Sequence, residues 1–419
     1  MNTPDQPLWT PELPPAPARH FCTDCGLSRT EDPKRCGQAC QFIAPDYPAL
    51  ETRVHGRARR LPTPGEGPPD ELFFGPYRDM WQASLKQPLA GAQWSGITTR
   101  IAQKLLEAGE VDAVIAMAPH PDDPWRPQPV LVTRAQDMAR CRGMRMGYAP
   151  LIALVEPALR MGHKRLAVIG IPCQIYALRA IQPELEREQG LAKLVVIGTP
   201  CSDNTTTERF HQFLALVSPR PQEVRYLEFR ADYHVEIRMQ DGAVHTIPFL
   251  QLPLSTLPPD FFPLTCRTCV DYTNALSDIT VGYMGGQGEQ WLLVRNAQGQ
   301  ALLELLGDEV RIRPPGSAGQ RAGAVRGFLQ NVERAAGGLP LRRMPNWLRP
   351  IVGWLMPRLG PRGLEFARAR VEMKAVETLV HLQRETPARI KTMVPEHVLH
   401  LVRPYGLPRS RANDSQPSD

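Results

Sequence analysis

The chain lacks any apolar run long enough to cross a membrane. Within its 419 residues, no stretch reaches the roughly 18 uninterrupted apolar residues of a spanning helix. The longest candidate, residues 347–359, is interrupted by arginines and prolines. Residues 1–20 also lack a charged start followed by an apolar segment, so they do not resemble a secretory signal. We therefore expect a cytoplasmic protein.

Lysine and concentrated positive charge are scarce as well. Only seven of the 49 basic residues are lysines, and the net charge is +6. No basic run alternates with aromatic residues, as it does in proteins that bind single-stranded nucleic acid. We expect no nucleic-acid partner. A mildly basic surface suits an acidic protein or an anionic small molecule.

Proline is abundant, and it shapes the predicted connections. The chain has 44 prolines, which is about twice the usual share. We interpret the proline-rich stretches 119–129 and 248–263 as rigid loops. Residues 1–20 and 405–419 are polar and rich in proline or serine, which is typical of disordered tails.

Strand and helix patterns alternate through the middle of the chain. The apolar patterns predict strands at 111–116, 165–170, 194–198, 279–283 and 291–295, and helices at 151–161, 174–181 and 206–217. Residues 224–247 are predicted to form two strands with Asp241-Gly242 as the hairpin turn. The alternation predicts an α/β fold with a mostly parallel sheet.

Three regions follow from these patterns. Residues 21–60 are rich in cysteine and have little apolar periodicity, which is typical of a small module folded around a metal. Residues 70–320 form the α/β domain, which includes the hairpin at 224–247. Residues 322–404 form a helical region, in which 363–384 is the longest predicted helix.

Nine cysteines in a reducing cytosol are more typical of metal ligands or catalytic thiols than of disulfides. The first four have the spacing Cys22-x2-Cys25-x10-Cys36-x3-Cys40. Four thiolates so close in sequence can surround one zinc ion or one iron–sulfur cluster. Their spacing alone leaves both alternatives open.

A second set of four cysteines is dispersed along the chain. Cys266 and Cys269 form a CxxC pair, whereas Cys173 and Cys201 each follow a predicted strand. The carboxyl ends of parallel strands share one edge of the sheet, where ligands bind in open α/β folds. The pattern predicts a four-thiolate site at that edge. Single cysteines in such positions also occur as buried apolar side chains or as nucleophiles at helix starts. Cys141 is interpreted as an incidental thiol.

Nucleotide-binding motifs are weak or absent. No G-x-G-x-x-G motif follows a strand. The loop 93–99 (QWSGITT) opens a helix whose backbone N–H groups are able to bind a pyrophosphate, and 282–286 (GYMGG) is a glycine-rich turn after a strand. Most Ser-Gly helix starts are only caps, so neither motif identifies a cofactor by itself.

A longer series of motifs runs in one order from residue 21 to residue 380. They are 21–27 (FCTDCGL), 54–57 (VHGR), 70–75 (DELFFG), 91–97 (GAQWSGI), 170–174 (GIPCQ), 201–204 (CSDN), 269–275 (CVDYTNA), 282–285 (GYMG) and 363–368 (GLEFAR). Together they resemble the beta-subunit family of deazaflavin-coenzyme hydrogenases and dehydrogenases. Within that family they are most similar to the branch of 7-hydroxymethyl chlorophyll a reductase and the ferredoxin-dependent 8-vinyl reductase of divinyl (proto)chlorophyllide.

The resemblance implies FAD and two 4Fe-4S clusters. It implies that Cys173, Cys201, Cys266 and Cys269 hold the cluster shared by the wider family. The second cluster of the branch is then held by Cys22, Cys25, Cys36 and Cys40, which makes 21–60 an N-terminal iron–sulfur module. The candidate FAD-binding residues are Trp94, Ser95, Gly96, Ile97, Thr98, Gly170 and Gln174.

Two loops bear on the substrate. The loop 145–151 (RMGYAPL) departs from the Lys-Pro-x-Leu-Ser-Pro-Asn-Leu type of phrase that is usual in the branch. Because this loop is a candidate for contact with flavin or substrate, the departure puts the inherited substrate in doubt. The short loop between Tyr283 and Trp291 is more similar to that of the vinyl reductases.

We hypothesise a reductase that acts on a C=C bond. Reduced ferredoxin would supply electrons, and the substrate would be a tetrapyrrole, the 8-vinyl group of divinyl (proto)chlorophyllide. A flavin is required because clusters transfer one electron at a time, whereas this reduction needs a pair. The candidate proton donors are Tyr233, His234, Asp271 and Tyr272, which lie near turns beside the cluster edge.

Alternatives remain at this stage. The chain is also consistent with a reductase of 7-hydroxymethyl chlorophyll or of another conjugated substrate. A third hypothesis is an electron-transfer beta subunit that feeds a partner hydrogenase or dehydrogenase. The apolar residues of 347–359 suit a core or homo-oligomer contact, which we favour, or a membrane surface.

Overall fold

The computed structural model describes residues 7–15, 21–230, 232–252, 254–282, 290–337, 339 and 344–408. The predicted loop between Tyr283 and Trp291 therefore lies almost wholly outside the described residues. Most of the two predicted tails, 1–6, 16–20 and 409–419, also lies outside them.

The strands of the described residues form three sheets. In chain order they are β1 (Asp79–Leu85), β2 (Ala113–His120), β3 (Asp123–Val132), β4 (Arg165–Gly170), β5 (Lys193–Gly198), β6 (Val224–Phe229), β7 (His234–Met239), β8 (Val244–Pro248), β9 (Ile279–Gly282), β10 (Gln290–Val294), β11 (Val310–Arg313), β12 (Ser317–Ala318) and β13 (Arg362–Gly363). The largest sheet has the order β11-β1-β10-β9-β5-β4-β2-β3.

The α-helices lie between and after these strands. They are α1 (Cys36–Ala39), α2 (Tyr47–His55), α3 (Asp70–Phe74), α4 (Ile97–Glu107), α5 (Val155–Arg160), α6 (Pro172–Glu188), α7 (Thr207–Val217), α8 (Leu264–Arg267), α9 (Ala297–Leu306), α10 (Arg321–Ala335), α11 (Leu348–Leu359), α12 (Leu364–Glu385), α13 (Ile390–Met393) and α14 (Glu396–Val402). None of the helices in the described ranges combines the length and apolar character that crossing a membrane requires.

The central sheet confirms the predicted α/β class. Its neighbours β2, β4, β5 and β9 pair in parallel, and β1 points the same way because two antiparallel pairings separate it from β9. The remaining strands β3, β10 and β11 run in the opposite direction. The apolar runs of β4 and β5 suit strands whose two faces are both covered, and apolar clusters pack on either face of the sheet.

One connection was misassigned from the sequence, and one strand was missed. The stretch 119–129, predicted as a rigid loop, contributes most of β3, which pairs antiparallel with β2 at the edge of the sheet. Proline is tolerated on an edge strand because one side of that strand needs no backbone donor. Strand β1 was not predicted.

The hairpin prediction for 224–247 was also incomplete. The structure has three antiparallel strands there, in the order β6-β7-β8, instead of two. The Asp241-Gly242 turn is placed correctly, between β7 and β8, and the Asp241 carboxylate accepts a hydrogen bond from the Ala243 N–H at 2.9 Å. The missed turn between β6 and β7 contains Tyr233, whose φ of 66° is the left-handed conformation that a non-glycine residue seldom adopts.

The cysteine-rich N-terminal region is not a module with its own separate interior. Leu27, Tyr47 and Leu50 are buried in the same apolar cluster as α5 and α6. At Gly26, with φ of 107°, a Cβ atom would lie 2.6 Å from the backbone of Pro150, so this turn docks directly on the α/β domain. Within the expected tail, Trp9 accepts a backbone hydrogen bond from Leu131 at 2.9 Å, so the prediction of disorder is wrong for residues 7–15.

The C-terminal helical region follows the prediction closely. The longest helix is α12, and it begins and ends within one residue of the predicted bounds. Its buried face packs with α10 and α14 against Phe74 and Trp291, whose rings meet edge to face at 5.0 Å. This packing places α12 across the end of the central sheet.

Candidate functional site

A cavity of about 610 Å³ lies at the carboxyl end of the parallel strands. Its floor is formed by Met117 within β2 and by residues that end or follow strands, namely Gly170, Thr199 and Gly282. Ligands bind at this edge in open α/β sheets, and the volume is within the range of small-molecule and cofactor sites. The sheet topology therefore places the cavity where a bound cofactor is expected.

Four further segments enclose the cavity. They are the start of α4 (Gln93, Trp94, Gly96, Thr98, Thr99), the loop 141–147, the three-stranded sheet (Phe229, Arg230, Tyr233, His234) and α12 (Phe366, Ala369, Arg370, Met373, Lys374, Glu377). The wall mixes apolar and aromatic side chains with several cationic groups. Such a wall can hold a large planar ligand that carries negative charge.

The candidate FAD-binding residues divide into two groups. Trp94, Gly96, Thr98, Gly170 and Gln174 line the cavity, and Ser95 and Ile97 do not. The Ser95 hydroxyl and the Ile97 N–H both donate to the Gln290 side-chain oxygen, at 3.0 and 2.9 Å. The first N–H of α4 is therefore already occupied, and a phosphate at this helix start would have to use other donors.

Gln174 ties the cavity floor to its neighbouring loop. Its amide oxygen accepts from the Ile171 N–H at 3.0 Å, and its amide nitrogen donates to the Ala149 carbonyl at 2.8 Å. Since both ends of the side chain are engaged, Gln174 fixes the start of α6 and the end of the variant loop.

The candidate proton donors are also divided. Tyr233, His234 and Tyr272 line the cavity. Asp271 does not, because it is buried and its carboxylate accepts the Ala275 N–H at 2.9 Å, which holds the turn after the CxxC pair. The Tyr233 hydroxyl donates to the Pro361 carbonyl at 2.9 Å, and the His234 Nδ1 lies 2.9 Å from the Asp232 carbonyl.

The four N-terminal cysteines lie in one neighbourhood. Burial raises the pKa of the Cys25 thiol, and charge on the other three thiols raises it further. The Asp24 N–H donates to the Cys22 sulfur at 3.3 Å. The fold thus brings together the sulfurs that the sequence groups as the first set.

The second set also converges, and one member reaches the cavity. Burial raises the pKa of Cys266 to about 12 and that of Cys269 to about 11. Burial also holds the pKa values of Cys173 and Cys201 well above the usual range, and each of these two is raised further by charge on Cys269. Cys201 lines the cavity wall.

The two cysteine sets adjoin each other. Thr23, between the first two cysteines, hydrogen-bonds Cys173 and lowers its pKa, whereas charge on Cys25 raises it. The buried Tyr148 hydroxyl lies among sulfurs of both sets: its pKa is raised by burial and then by Cys266 and Cys173, with a smaller contribution from Cys22. A short path between the sets is therefore built into the fold.

Four thiolates in each set are a donor chemistry that suits one zinc ion or one iron–sulfur cluster. In the described part of the chain, no three His, Cys, Asp or Glu side chains are arranged to hold one metal ion. A zinc ion would draw its sulfurs to about 3.8 Å from one another, given a bond of about 2.3 Å. A four-iron cluster distributes four thiolates around a larger body. Buried thiols also ionise only if a positively charged group offsets their burial.

A buried charged group on α12 was missed from the sequence. The Lys374 ammonium donates to Asp203 at 2.7 Å and to Glu377 at 3.2 Å, and Arg370 hydrogen-bonds Ser202. All of these residues line the cavity. Burial raises the pKa of Glu377, against the lowering effect of Lys374. The available signal was the helical spacing of 370, 374 and 377 on one face of a long helix.

Residues 141–147 line the cavity continuously, and the last three of them are the first three residues of the variant loop 145–151. Burial lowers the pKa of the Arg145 guanidinium, and one Arg142 amino group donates to the Ala90 carbonyl at 2.8 Å. Cys141, interpreted as incidental, lies in the same wall, where burial raises its pKa to about 12. The loop that departs from the branch pattern is thus part of the cavity surface.

Comparison with known proteins identifies relatives of this arrangement. Residues 80–156 match the N-terminal profile, and residues 163–315 the C-terminal profile, of the coenzyme F420 hydrogenase/dehydrogenase beta subunit. An uncharacterized protein of Nostoc is 36% identical over 94% of this chain and 95% of its own length. The chloroplastic 7-hydroxymethyl chlorophyll a reductase of Oryza sativa is 34% identical over 94% of this chain and 85% of its own length.

A solved structure shares the fold. A chain of the F420-reducing [NiFe] hydrogenase complex of Methanosarcina barkeri superposes with a TM-score of 0.54 at 21% identity. The match covers 74% of this chain and 93% of that chain. At this identity the likeness concerns the α/β architecture alone.

Proposed function

Because the chain belongs to the coenzyme F420 hydrogenase/dehydrogenase beta-subunit family and is an oxidoreductase, we propose that it is a ferredoxin-dependent iron–sulfur flavoprotein that reduces the 8-vinyl group of divinyl (proto)chlorophyllide. One observation carries the proposal: Cys201, a member of the second cysteine set, forms part of the wall of the large cavity. Electrons held at this set would be adjacent to the ligand in the cavity.

The proposal assigns residues to each cofactor. Cys22, Cys25, Cys36 and Cys40 would hold one 4Fe-4S cluster, and Cys173, Cys201, Cys266 and Cys269 the other. FAD would lie against Trp94, Gly96 and Thr98 at the start of α4 and against Gly170 on the cavity floor. When bound, these groups would convert single electrons from ferredoxin into the electron pair that the reaction requires.

The overall reaction balances with reductant and solvent protons. A vinyl group takes up two electrons and two protons to become an ethyl group. A side chain in the cavity would donate at least one of these protons to the substrate. Side chains of α12 and of the three-stranded sheet would cover part of the ligand and limit its contact with water. The cationic Arg142 and Arg145 in the wall would neutralise a carboxylate of the pigment.

The proton would be held on α12. Glu377 lines the cavity and its pKa is raised by burial, so a protonated fraction persists at neutral pH. Lys374 hydrogen-bonds this carboxyl group and also Asp203, which fixes its orientation. Tyr272 and His234 also face the cavity, and the Tyr233 proton is already donated to a backbone carbonyl.

A second candidate substrate is the 7-hydroxymethyl group of chlorophyll a, which the relationship to the Oryza sativa reductase favours. That reaction uses the same two electrons and two protons and releases water. An electron-transfer subunit that has no substrate of its own and feeds a partner hydrogenase or dehydrogenase is a third candidate, favoured by the match to the beta-subunit profiles.

Turnover of defined pigments tests these candidates. Anaerobically purified protein is mixed with reduced ferredoxin and with divinyl chlorophyllide or the 7-hydroxymethyl pigment, and products are separated by chromatography. We expect monovinyl product, and its loss in Cys269→Ser. Conversion of the hydroxymethyl pigment alone would reject the vinyl substrate, and turnover of neither pigment by cluster-loaded protein would reject both.

Complementation gives the same test in a cell. The chain is expressed in a phototroph that lacks its own vinyl reductase and accumulates divinyl pigment. We expect monovinyl pigment to appear, and to disappear again with Cys22→Ser. Persistent divinyl pigment in cells that contain cluster-loaded protein would contradict the proposed substrate.

A further inference from the structure

Exposed apolar side chains are concentrated on one helix. Eight large apolar side chains are exposed in the described part of the chain, and four of them are Trp347, Ile351, Trp354 and Leu359, exposed to 71%, 49%, 59% and 71%. We call these four residues the α11 patch. Scattered single residues of this kind are normal on a protein surface, whereas a cluster with two tryptophans indicates a binding surface.

The patch lies on one face of α11 and its cap. Positions 347, 351 and 354 follow helical spacing, and Arg358 joins them one turn later. The Arg358 guanidinium lies 4.4 Å from the centre of the Trp354 ring. The patch therefore combines exposed indole rings with an adjacent cation.

The opposite face of α11 is anchored to the protein. Arg349 is buried and donates to the Leu252 carbonyl at 2.9 Å. Gly353 packs over Pro248 and Gln251, and Met356 lines the cavity. Because this face is fixed to the body of the protein, the exposed patch is held outward as part of a rigid surface.

The charge of this segment has one sign. Residues 339–364 contain five arginines, at 342, 343, 349, 358 and 362, and no aspartate or glutamate. In the described part of that segment, Arg358 and Arg362 are exposed. Helices that lie in the interface of an anionic bilayer combine tryptophan and apolar residues on one side with flanking arginine or lysine.

We propose that the α11 patch docks on an anionic membrane surface, with its apolar side chains among the lipid headgroups and its arginines against lipid phosphates. The charge pattern favours this occupant over a second copy of the chain. A twofold contact through the patch would bring the arginines of the two copies together, and like charges in an interface are unfavourable.

Docking would also orient the cavity. Met356 of α11 and the neighbouring Phe249 and Leu250 contribute to the cavity wall. The docked face would thus bring the cavity wall close to the bilayer, which suits an apolar ligand. The proposal does not depend on the identity of that ligand and goes beyond the proposed reaction.

Vesicle flotation tests the docking. Full-length protein is mixed with vesicles of phosphatidylcholine alone or with a third of phosphatidylglycerol, and the bound fraction is measured. We expect binding to the anionic vesicles only, a blue shift of tryptophan emission, and weaker binding as salt rises. Trp347→Ser combined with Trp354→Ser should weaken binding by at least about tenfold, since each buried aromatic contributes on the order of a factor of ten.

Control variants distinguish binding through the α11 patch from nonspecific binding through other exposed apolar side chains. Val244→Ser and Ile312→Ser remove exposed apolar side chains elsewhere and should leave vesicle binding unchanged. Arg358→Glu should weaken binding to anionic vesicles. Equal binding to neutral and anionic vesicles, or equal loss in the control variants, would overturn the proposal. Light scattering is run in parallel: dissociation of an oligomer by the tryptophan variants, with vesicle binding retained, would assign the patch to self-association instead.

Discussion

The two cysteine sets are built in opposite ways. The first occupies 19 consecutive residues, from Cys22 to Cys40, in short helices and turns that dock on the α/β domain through Gly26. The second is assembled from two strand ends and one short helix, between Cys173 and Cys269. The first is therefore local in sequence and peripheral to the sheet, whereas the second exists only once the sheet has formed.

This difference predicts different roles. A set built on the strand ends shares its scaffold with the cavity, so its position relative to a ligand is fixed by the most rigid part of the fold. A set built on docked turns adjoins the second set, and Tyr148 and Thr23 lie where the two sets meet. We expect the second set to serve the ligand and the first to receive electrons.

The largest effect that separates the two sets should come from Cys173→Ser. This change removes one thiolate of the second set, so dithionite-reduced ferredoxin should fail to reduce the bound flavin, with a rate loss of at least about a hundredfold. Bound FAD should be partly retained. Stopped-flow absorbance of the flavin measures the rate.

Cys22→Ser is the matched comparison. It should lower the rate with ferredoxin, while the small reductant dithionite alone still reduces the flavin through the second set. If Cys173→Ser reduces flavin at the normal rate, the division of roles between the sets is wrong.

The proton donor on α12 should have the next largest effect. Glu377→Gln keeps the volume and the contact with Lys374 but removes the acidic proton, so kcat should fall by about a hundredfold, as for other general acids. The donor acts in its protonated form, so activity of the parent should decline as pH rises through the pKa of Glu377, and this decline should vanish in the variant. Glu385→Gln, on an exposed position of the same helix, is the control. An unchanged pH profile in Glu377→Gln would assign the proton to another residue.

Docking of the first set can be broken at Gly26. In Gly26→Ala the new Cβ would lie 2.6 Å from the Pro150 backbone, in a left-handed conformation that alanine resists. We expect the free energy of unfolding to fall by about 2 to 3 kcal/mol. Gly56→Ala shares a left-handed φ but has no atom within 4 Å of the new Cβ, so it should cost only about 1 kcal/mol. Equal thermal shifts in the two variants would show that the contact with Pro150 is not important.

The last effect appears only in acid and concerns stability. Burial, and then the charge on Arg267, lowers the pKa of His381 to about 3, and neither ring nitrogen makes a hydrogen bond with a described residue. Unfolding exposes the imidazole, whose pKa returns to about 6.5, so the unfolded chain binds more protons between these values. Stability should therefore decrease as pH falls through this window.

His381→Leu should remove this contribution. Its free energy of unfolding should depend less steeply on pH below about 6.5, by up to about 1.4 kcal/mol per pH unit. His245→Leu, on the exposed strand β8, should keep the parent slope. Denaturant titrations at several pH values measure both, and an unchanged slope in His381→Leu would contradict the burial argument.

The sequence was sufficient where a signal is local. Apolar runs identified the central strands β4 and β5, and helical spacing identified α12. It failed at β3, whose prolines suggested a loop, because pairing at a sheet edge is decided by the neighbouring strand. It also failed to show that Leu27 and Tyr47 are buried in the α/β core.

The site was predictable to a similar extent. Strand-end positions correctly indicated the edge at which the cavity forms. The sequence could not show that Gln290 caps Ser95 and Ile97, or that Lys374 meets Asp203, because each pair joins residues far apart in the chain. Such contacts depend on tertiary packing, which a single sequence does not encode in any short motif.

The central claim is that two cysteine sets hold two clusters, one of them at the cavity. Its most direct test is the iron, acid-labile sulfide and zinc content of anaerobically purified protein, measured beside Cys22→Ser and Cys269→Ser. Two four-iron clusters predict about eight irons and eight sulfides per chain, and about four of each in either variant. A colourless protein that contains zinc, or about four irons that are unaffected by one of the two substitutions, would contradict the account.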